Sequence, residues 1–240
     1  MTDLFIKKLS WDSDFFGIQI GSIDFKNIDF NSFKQVLDLA KAENFKLVYG
    51  FQDSKFDYDN DIIAKLNGRL IDKKVIFSLD VNSKKIDDNN QIEVHQAHLP
   101  NQDLYELAIL SGEYSRFKKD LIFGKDNFEK LYKLWIENSV NGKIADKVFV
   151  HKSFNDEING MITLKIDENS ANIGLLSVKP NFQGQKIGQR LVDKSLLYCQ
   201  KKQIKSLTVP TQLYNQNACN FYKKYGFQVE KIVNTFHFYL

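Results

Sequence analysis

The chain has 240 residues, thirty-three Lys and Arg against thirty Asp and Glu, and a net charge of +3. Its 43% hydrophobic and 26% charged content is that of an ordinary globular chain, long enough for one large domain or two small ones. A basic excess this small and dispersed gives no footing for a nucleic-acid partner, though it leaves room for a local basic pocket.

In chain order, "MTDLFIKKLSWDSDFF" carries acids early and has no apolar run of signal length. No stretch approaches the ~18 consecutive apolar residues of a spanning helix, so no membrane partner and a cytoplasmic location are expected. "FNSFKQVLDLAKAENF" places Phe33, Val36, Leu37 and Ala40 at helical spacing, with Asn31 or Ser32 as N-cap. "FKLVYGF" and "VIFSLDV" are β-rich runs. The polar stretch "NSKKIDDNNQ", 82–91, is the best linker, giving an N-terminal unit 1–85 and a C-terminal domain 91–240.

Beyond it, "IEVHQAH" reads as a strand, "NQDLYELAILSG" as a helix, and "DNFEKLYKLWIENSV" as a second helix capped by Asp126. Three strand signals follow, "DKVFVHKS", "INGMITLKID" and "ANIGLLSV", joined at hairpin-like lengths. "IKSLTVP" predicts another strand, "NACNFYKKYGF" a short helix stopped at Gly226, and "VEKIVNTFHFYL" a last strand. The fold class is α+β with a mostly antiparallel central sheet. Cys199 and Cys219 lack ligand-spaced neighbours, and the four histidines form no cluster, which argues against a disulfide framework and against a metal site.

Between the third of those strands and the next helix lies "SVKPNFQGQKIGQRLV", Ser177 to Val192. A Walker A loop fails here, because Gln189 rather than Lys follows the second glycine. The dinucleotide fingerprint fails too, because three residues separate Gly184 and Gly188. A turn opening directly into a helix can still point backbone N–H groups at an anion. Gln183, Gly184, Gln185, Lys186, Ile187 and Gly188 supply such donors, and Lys186 and Arg190 add charge. Gly-containing strand-to-helix turns are also common as plain connections.

This segment resembles the acyl-CoA pyrophosphate loop of the GNAT N-acetyltransferase superfamily, usually [QR]xxGx[GA] after a strand. Gln183 and Gly188 match, whereas Lys186 replaces the central glycine. "NQNACNFYKKYGF" is similar to that superfamily's later NxxAxxFYxxxGF segment, through Asn215, Ala218, Phe221, Tyr222, Gly226 and Phe227. The resemblance implies a GNAT fold and acyl-CoA as cosubstrate, either acetyl-CoA or a longer or hydroxylated acyl-CoA. Its pantetheine arm would add to a strand edge at Leu176 to Val178. Asn215 would join the cosubstrate contacts, and Tyr222 would protonate the leaving thiolate. From spacing alone Tyr222 is equally a core aromatic, and Tyr225 is its neighbour on one helical face. No residue is assigned as general base.

In the N-terminal half, "LSWDSDFFGIQIGSI" and "SGEYSRFKKD" resemble the dTDP-fucosamine acetyltransferase family of nucleotide-linked aminosugar acyltransferases, and "FEKLYKLWIENSV...ADKVFV" continues the likeness beyond it. That family joins a reduced GNAT-like unit to a full GNAT domain. The resemblance implies a dTDP-linked amino-dideoxysugar, with a 3- or 4-amino group, as acceptor in cell-surface polysaccharide biosynthesis. Tyr114, Arg116 and Phe117 would bind it: Arg116 suits a diphosphate, and Phe117, like Trp11, Phe15 and Phe16, could stack on thymine. Equally, Trp11, Phe15 and Phe16 could be structural plugs, and Arg116 could serve a helix C-terminus. Other readings are a GNAT enzyme for a protein N-terminus or small polyamine, and a non-catalytic acyl-CoA-binding module. A homodimer stays open.

Overall fold

Ten strands and eight helices make up the described part of the computed structural model, which covers residues 5–27, 29–86 and 91–240. They fall into two compact units. The first runs to Val75 and takes Gln212–Tyr214 and Lys231–Leu240; the second is Ile76–Thr211 with Asn215–Glu230.

The first unit opens with β1 (Lys7–Lys8), α1 (Ser10–Phe16) and β2 (Gln19–Asp24). α2 (Phe30–Ala42), β3 (Phe45–Asp53), α3 (Asn60–Lys65) and the start of β4 (Gly68–Asp80) come next. α2 starts earlier than its expected cap. Asp29 holds the N-cap, accepting from Ser32 N at 2.9 Å, because its short carboxylate reaches the third helical N–H while Phe30 is already helical. β3 pairs in parallel with β2 on one side. On its other side it pairs antiparallel with the last strand of the chain, from Val233↔Asp53 to Tyr239↔Leu47. Phe33, Leu37 and Ala40 of α2 pack with Phe25, Phe45, Val48, Phe236 and Phe238 in one apolar core. This pairing explains why a cut at 82–91 does not separate the compact units: the final ten residues complete the first unit's core. Residues 87–90 of that predicted linker lie outside the described residues.

The second unit holds β5 (Ile92–Val94), α4 (Gln102–Ser111), α5 (Arg116–Lys119) and α6 (Gly124–Val140). Then come β6 (Lys147–Lys152), β7 (Ile158–Ile166), β8 (Ser170–Val178), α7 (Ile187–Lys201), β9 (Ser206–Gln212), α8 (Gln216–Tyr225) and the first three residues of β10 (Gln228–Tyr239), the rest of which belongs to the first unit. Its strands lie in the order β4-β9-β8-β7-β6-β5. β5 to β8 are antiparallel neighbours, and β8 and β9 are parallel. The α+β, mostly antiparallel class read from the sequence therefore holds. α6 starts at Gly124, so Asp126 sits in its first turn rather than capping it. Phe128, Leu131, Tyr132 and Ile136 form its buried stripe.

Strand β8 is irregular on both of its edges. Leu176 faces Ile162 and Ile173 faces Leu164, so Gly174 and Leu175 together oppose Thr163 alone: β8 bulges. The Thr163 hydroxyl accepts the Leu175 N–H at 2.9 Å, satisfying a donor the bulge would otherwise strand. On its other side β8 pairs with β9 only over Ser170–Asn172 against Ser206–Thr208. Both strands continue past that point, to Val178 and Gln212. A bulged strand bends, so the two part after Asn172, where Asn172 Nδ2 still donates to Thr208 Oγ1 at 3.0 Å.

Candidate active site

The parting of β8 and β9 leaves main-chain groups of Leu176 to Val178 without a strand neighbour on that side, and a cleft of about 1110 Å³ opens there, within the second unit. Leu176, Ser177 and Val178 line it from β8. The α7 turn gives Gln183, Gly184, Lys186, Ile187 and Gly188. Asn215, Ala218, Phe221, Tyr222 and Tyr225 come from α8 and its cap, and Tyr114 lies on the turn after α4. Lys84, Glu113 and Lys224 line it as well.

Two left-handed residues shape the α7 turn. Gly184 has φ 79° and Lys186 φ 61°, both left-handed. Lys186 occupies the central glycine position of the loop it resembles, and the backbone there keeps the glycine-type conformation at a cost of ~1–2 kcal/mol. Among the described residues, the N–H groups of Gly184, Gln185 and Lys186 donate to no backbone carbonyl in the turn. They stand at the positive end of a fifteen-residue helix. Gly188 leaves space rather than a close approach: a Cβ there would meet Phe221 at 3.6 Å, an ordinary contact. Gly160 does the opposite. It pairs with Val178, and a Cβ on it would lie 2.8 Å from Ile187, so a glycine in β7 lets the first turn of α7 settle onto the end of β8.

Side chains hold the turn from behind. Gln183 Nε2 donates to the Val178 carbonyl at 3.1 Å, tying the loop to the strand. Arg190 donates to the Gln185 carbonyl at 2.9 Å. Gln185 does not line the cleft, so the expected run of cosubstrate residues is interrupted at this position. Asn215 has two tasks: it lines the cleft, and its side-chain oxygen caps α8 by accepting from Ala218 N at 3.1 Å.

Tyr222 is 4% exposed, its ring packed among Phe77, Phe221 and Phe227 at centroid distances of 5.6, 5.2 and 5.5 Å. Burial, with the nearby Cys219 as a second cause, raises its pKa above the usual tyrosine value. It therefore keeps its proton through the neutral range, as a proton donor must. Tyr225 lines the same cleft but is committed elsewhere: its hydroxyl donates to Asp193, and burial together with that bond raises its pKa too. Lys84 lies 4.0 Å over its ring.

The acceptor residues expected from "SGEYSRF" separate. Tyr114 is 41% exposed and lines the cleft. Phe117 is 9% exposed and packs against Phe123 and Trp135 at 5.2 and 5.9 Å, so its ring faces the core and cannot stack on a base. The reason is the short α5, which turns Phe117 inward and leaves Lys118 and Lys119 exposed. Arg116 does not line the cleft; its guanidinium lies 4.5 Å over the Phe117 ring. In the first unit Trp11 stacks on Phe15 at 5.2 Å and remains half-exposed. Sequence reasoning missed Lys84, Glu113 and Lys224. The α8 residue was reachable from helical spacing, whereas Lys84 and Glu113 sit in polar turns that carry no periodic signal.

In this unit a bulged strand parts from its parallel neighbour beside the N-terminus of a helix. Residues 112–227 match the Acetyltransferase (GNAT) family. A curated relative, the spore coat polysaccharide biosynthesis protein SpsD of Bacillus subtilis (strain 168), is 27% identical over 132 residues. That is 55% of this chain and 45% of SpsD, so the chain spans less than half of that relative's length. A functionally unknown conserved protein from Staphylococcus epidermidis ATCC 12228 superposes with a TM-score of 0.65 at 10% identity, over 92% of this chain and 85% of that one. A GCN5-related N-acetyltransferase from Sphaerobacter thermophilus gives 0.58 at 9% identity, over 91% and 72%. Both structural likenesses extend a shared fold beyond the residues that match the family.

Proposed function

We propose that the protein is an N-acyltransferase that moves an acyl group from acyl-CoA to the amine of a dTDP-linked amino-dideoxysugar. The observation that supports the transferase part is the cleft itself, which the α7 turn and Tyr222 line together with the strand-edge residues Leu176 to Val178. The CoA pyrophosphate would rest on the N–H groups of Gly184 to Gly188, with Lys186 adding charge. Main-chain groups at Leu176 to Val178 would bind the pantetheine amides as a further strand would. Amine attack on the thioester carbonyl then expels a thiolate, and Tyr222 gives it a proton.

The sugar part is supported by the polysaccharide role named for SpsD and by the likeness of "SGEYSRFKKD" to aminosugar acyltransferases. With Phe117 in the core and Arg116 outside the cleft lining, Tyr114 is the expected acceptor residue with the best placement. Thermal-shift measurements with acetyl-CoA and with dTDP test both parts. Stabilisation by each supports the sugar enzyme. Stabilisation by acetyl-CoA alone favours another amine, and a panel of acyl-CoAs with 3- and 4-amino dTDP-sugars identifies the pair. Binding of CoA with turnover of no amine would mean a binding module.

A further inference from the structure

Charge along the cleft is divided by element. Lys84, Lys186 and Lys224 line it with the first turn of α7, as an anionic cosubstrate requires. Among the described residues Glu113 is the sole carboxylate in that lining. It follows Gly112, the C-cap of α4, a ten-residue helix whose terminal carbonyls carry partial negative charge. The turn lies close against α6: a Cβ on Gly112 would lie 2.3 Å from the Tyr132 ring. The carboxylate end, by contrast, is exchangeable: Glu113 is 43% exposed and pairs with Lys118 at 3.3 Å. Surface pairs of this kind contribute little and yield readily to another cation.

We infer that Glu113 receives the acceptor amine as its ammonium and takes its first proton. This rests on the N-acyltransferase reading of the cleft. One ammonium proton passes to the Glu113 carboxylate and on to solvent, which frees the nitrogen lone pair. That pair forms the C–N bond, the C–S bond breaks, and the thiolate takes the Tyr222 proton. The second nitrogen proton leaves to water, and water returns a proton to Tyr222. Ammonium and thioester thus give amide, thiol and one proton. Anionic cosubstrate and cationic acceptor are sorted to different walls of one cleft, which also disfavours acceptors whose only nearby group is acidic.

Glu113→Gln tests this, because it removes the charge and keeps the volume. The amine is whichever of a 3-amino dTDP-sugar, a 4-amino dTDP-sugar and spermidine the wild type acylates fastest from acetyl-CoA. The expected result at pH 7 is a fall in kcat/KM for the amine of about 100-fold or more, with CoA affinity by calorimetry unchanged. The deficit should shrink as pH rises, because a growing share of the amine then arrives neutral. Glu113→Asp should fall between the two. Wild-type kcat/KM in the Gln variant overturns the assignment while leaving the acyltransferase reading intact, as does a deficit equal at every pH. A wild type that binds CoA and acylates no amine overturns both.

Discussion

At the scale of single residues, two tyrosines three positions apart have become different groups. Tyr222 has an aromatic cage and a place in the cleft; Tyr225 has a carboxylate partner. Tyr222→Phe keeps the ring, so turnover should drop by at least about 100-fold with CoA affinity little changed, as pre-steady-state thiol release would measure. Tyr225→Phe acts on stability instead. It removes a hydrogen bond to Asp193 of the charge-assisted kind, worth about 1.5–3 kcal/mol, so its melting temperature should fall while turnover stays near that of the wild type. Because the Tyr222 pKa is raised, its deprotonation should contribute no alkaline loss of rate below about pH 10. Lys186 is the other residue with a split character. Lys186→Gly relieves a left-handed lysine and should add about 1 kcal/mol of stability, yet weaken CoA binding by removing a cation. Denaturation and calorimetry on one sample separate the two effects; tighter CoA binding in the variant would refute the cradle.

At the scale of elements, the end of β8 is fixed by charge as well as by pairing. Lys179, one residue beyond β8, bonds Asp103 of α4 at 2.6 Å and Glu157 at 2.8 Å, and Asp103 also accepts the Ile158 N–H at 3.0 Å. Burial pushes the Asp103 pKa upward, but the bonds from Lys179 and Ile158 outweigh it, and the net direction is down. A depressed folded-state pKa gives stability that is present above the unfolded value near 4 and lost as pH falls through the folded value. Asp103→Asn should therefore flatten the acid side of a stability-against-pH curve below about pH 4, while lowering stability at pH 7. An unchanged acid limb would show that this network is not coupled to folding. These contacts join α4 to the strand end that borders the cleft, so the variant should also raise the KM for acyl-CoA.

At the scale of the whole molecule, chain order and compact units do not coincide. Phe236 and Phe238, from the last strand, are fully buried in the first unit's core beside Phe33 and Phe25. Losing a buried Phe side chain costs about 3–5 kcal/mol, and a domain's entire stability is about 5–15 kcal/mol. A chain ending at Glu230 should therefore lose the cooperative unfolding of its first unit, and residues 1–85 expressed alone should not fold, as circular dichroism would report. A folded 1–85 fragment would contradict this account of the core.

The sequence by itself determined the element order of the second unit, the α7 turn and the α8 segment with its Gly226 stop. Those features depend on neighbours along the chain: a strand run, a glycine, a cap, a helical period. The α7 turn was legible because its residues are consecutive. Only the tertiary structure decided that Phe117 faces the core, that Gln185 leaves the cleft lining, and that Lys84 and Glu113 enter it. It also decided that β8 bulges at Gly174 and parts from β9, and that the last strand completes the first unit. Each of these depends on which side of a residue a distant element comes to cover, and local spacing carries no record of that.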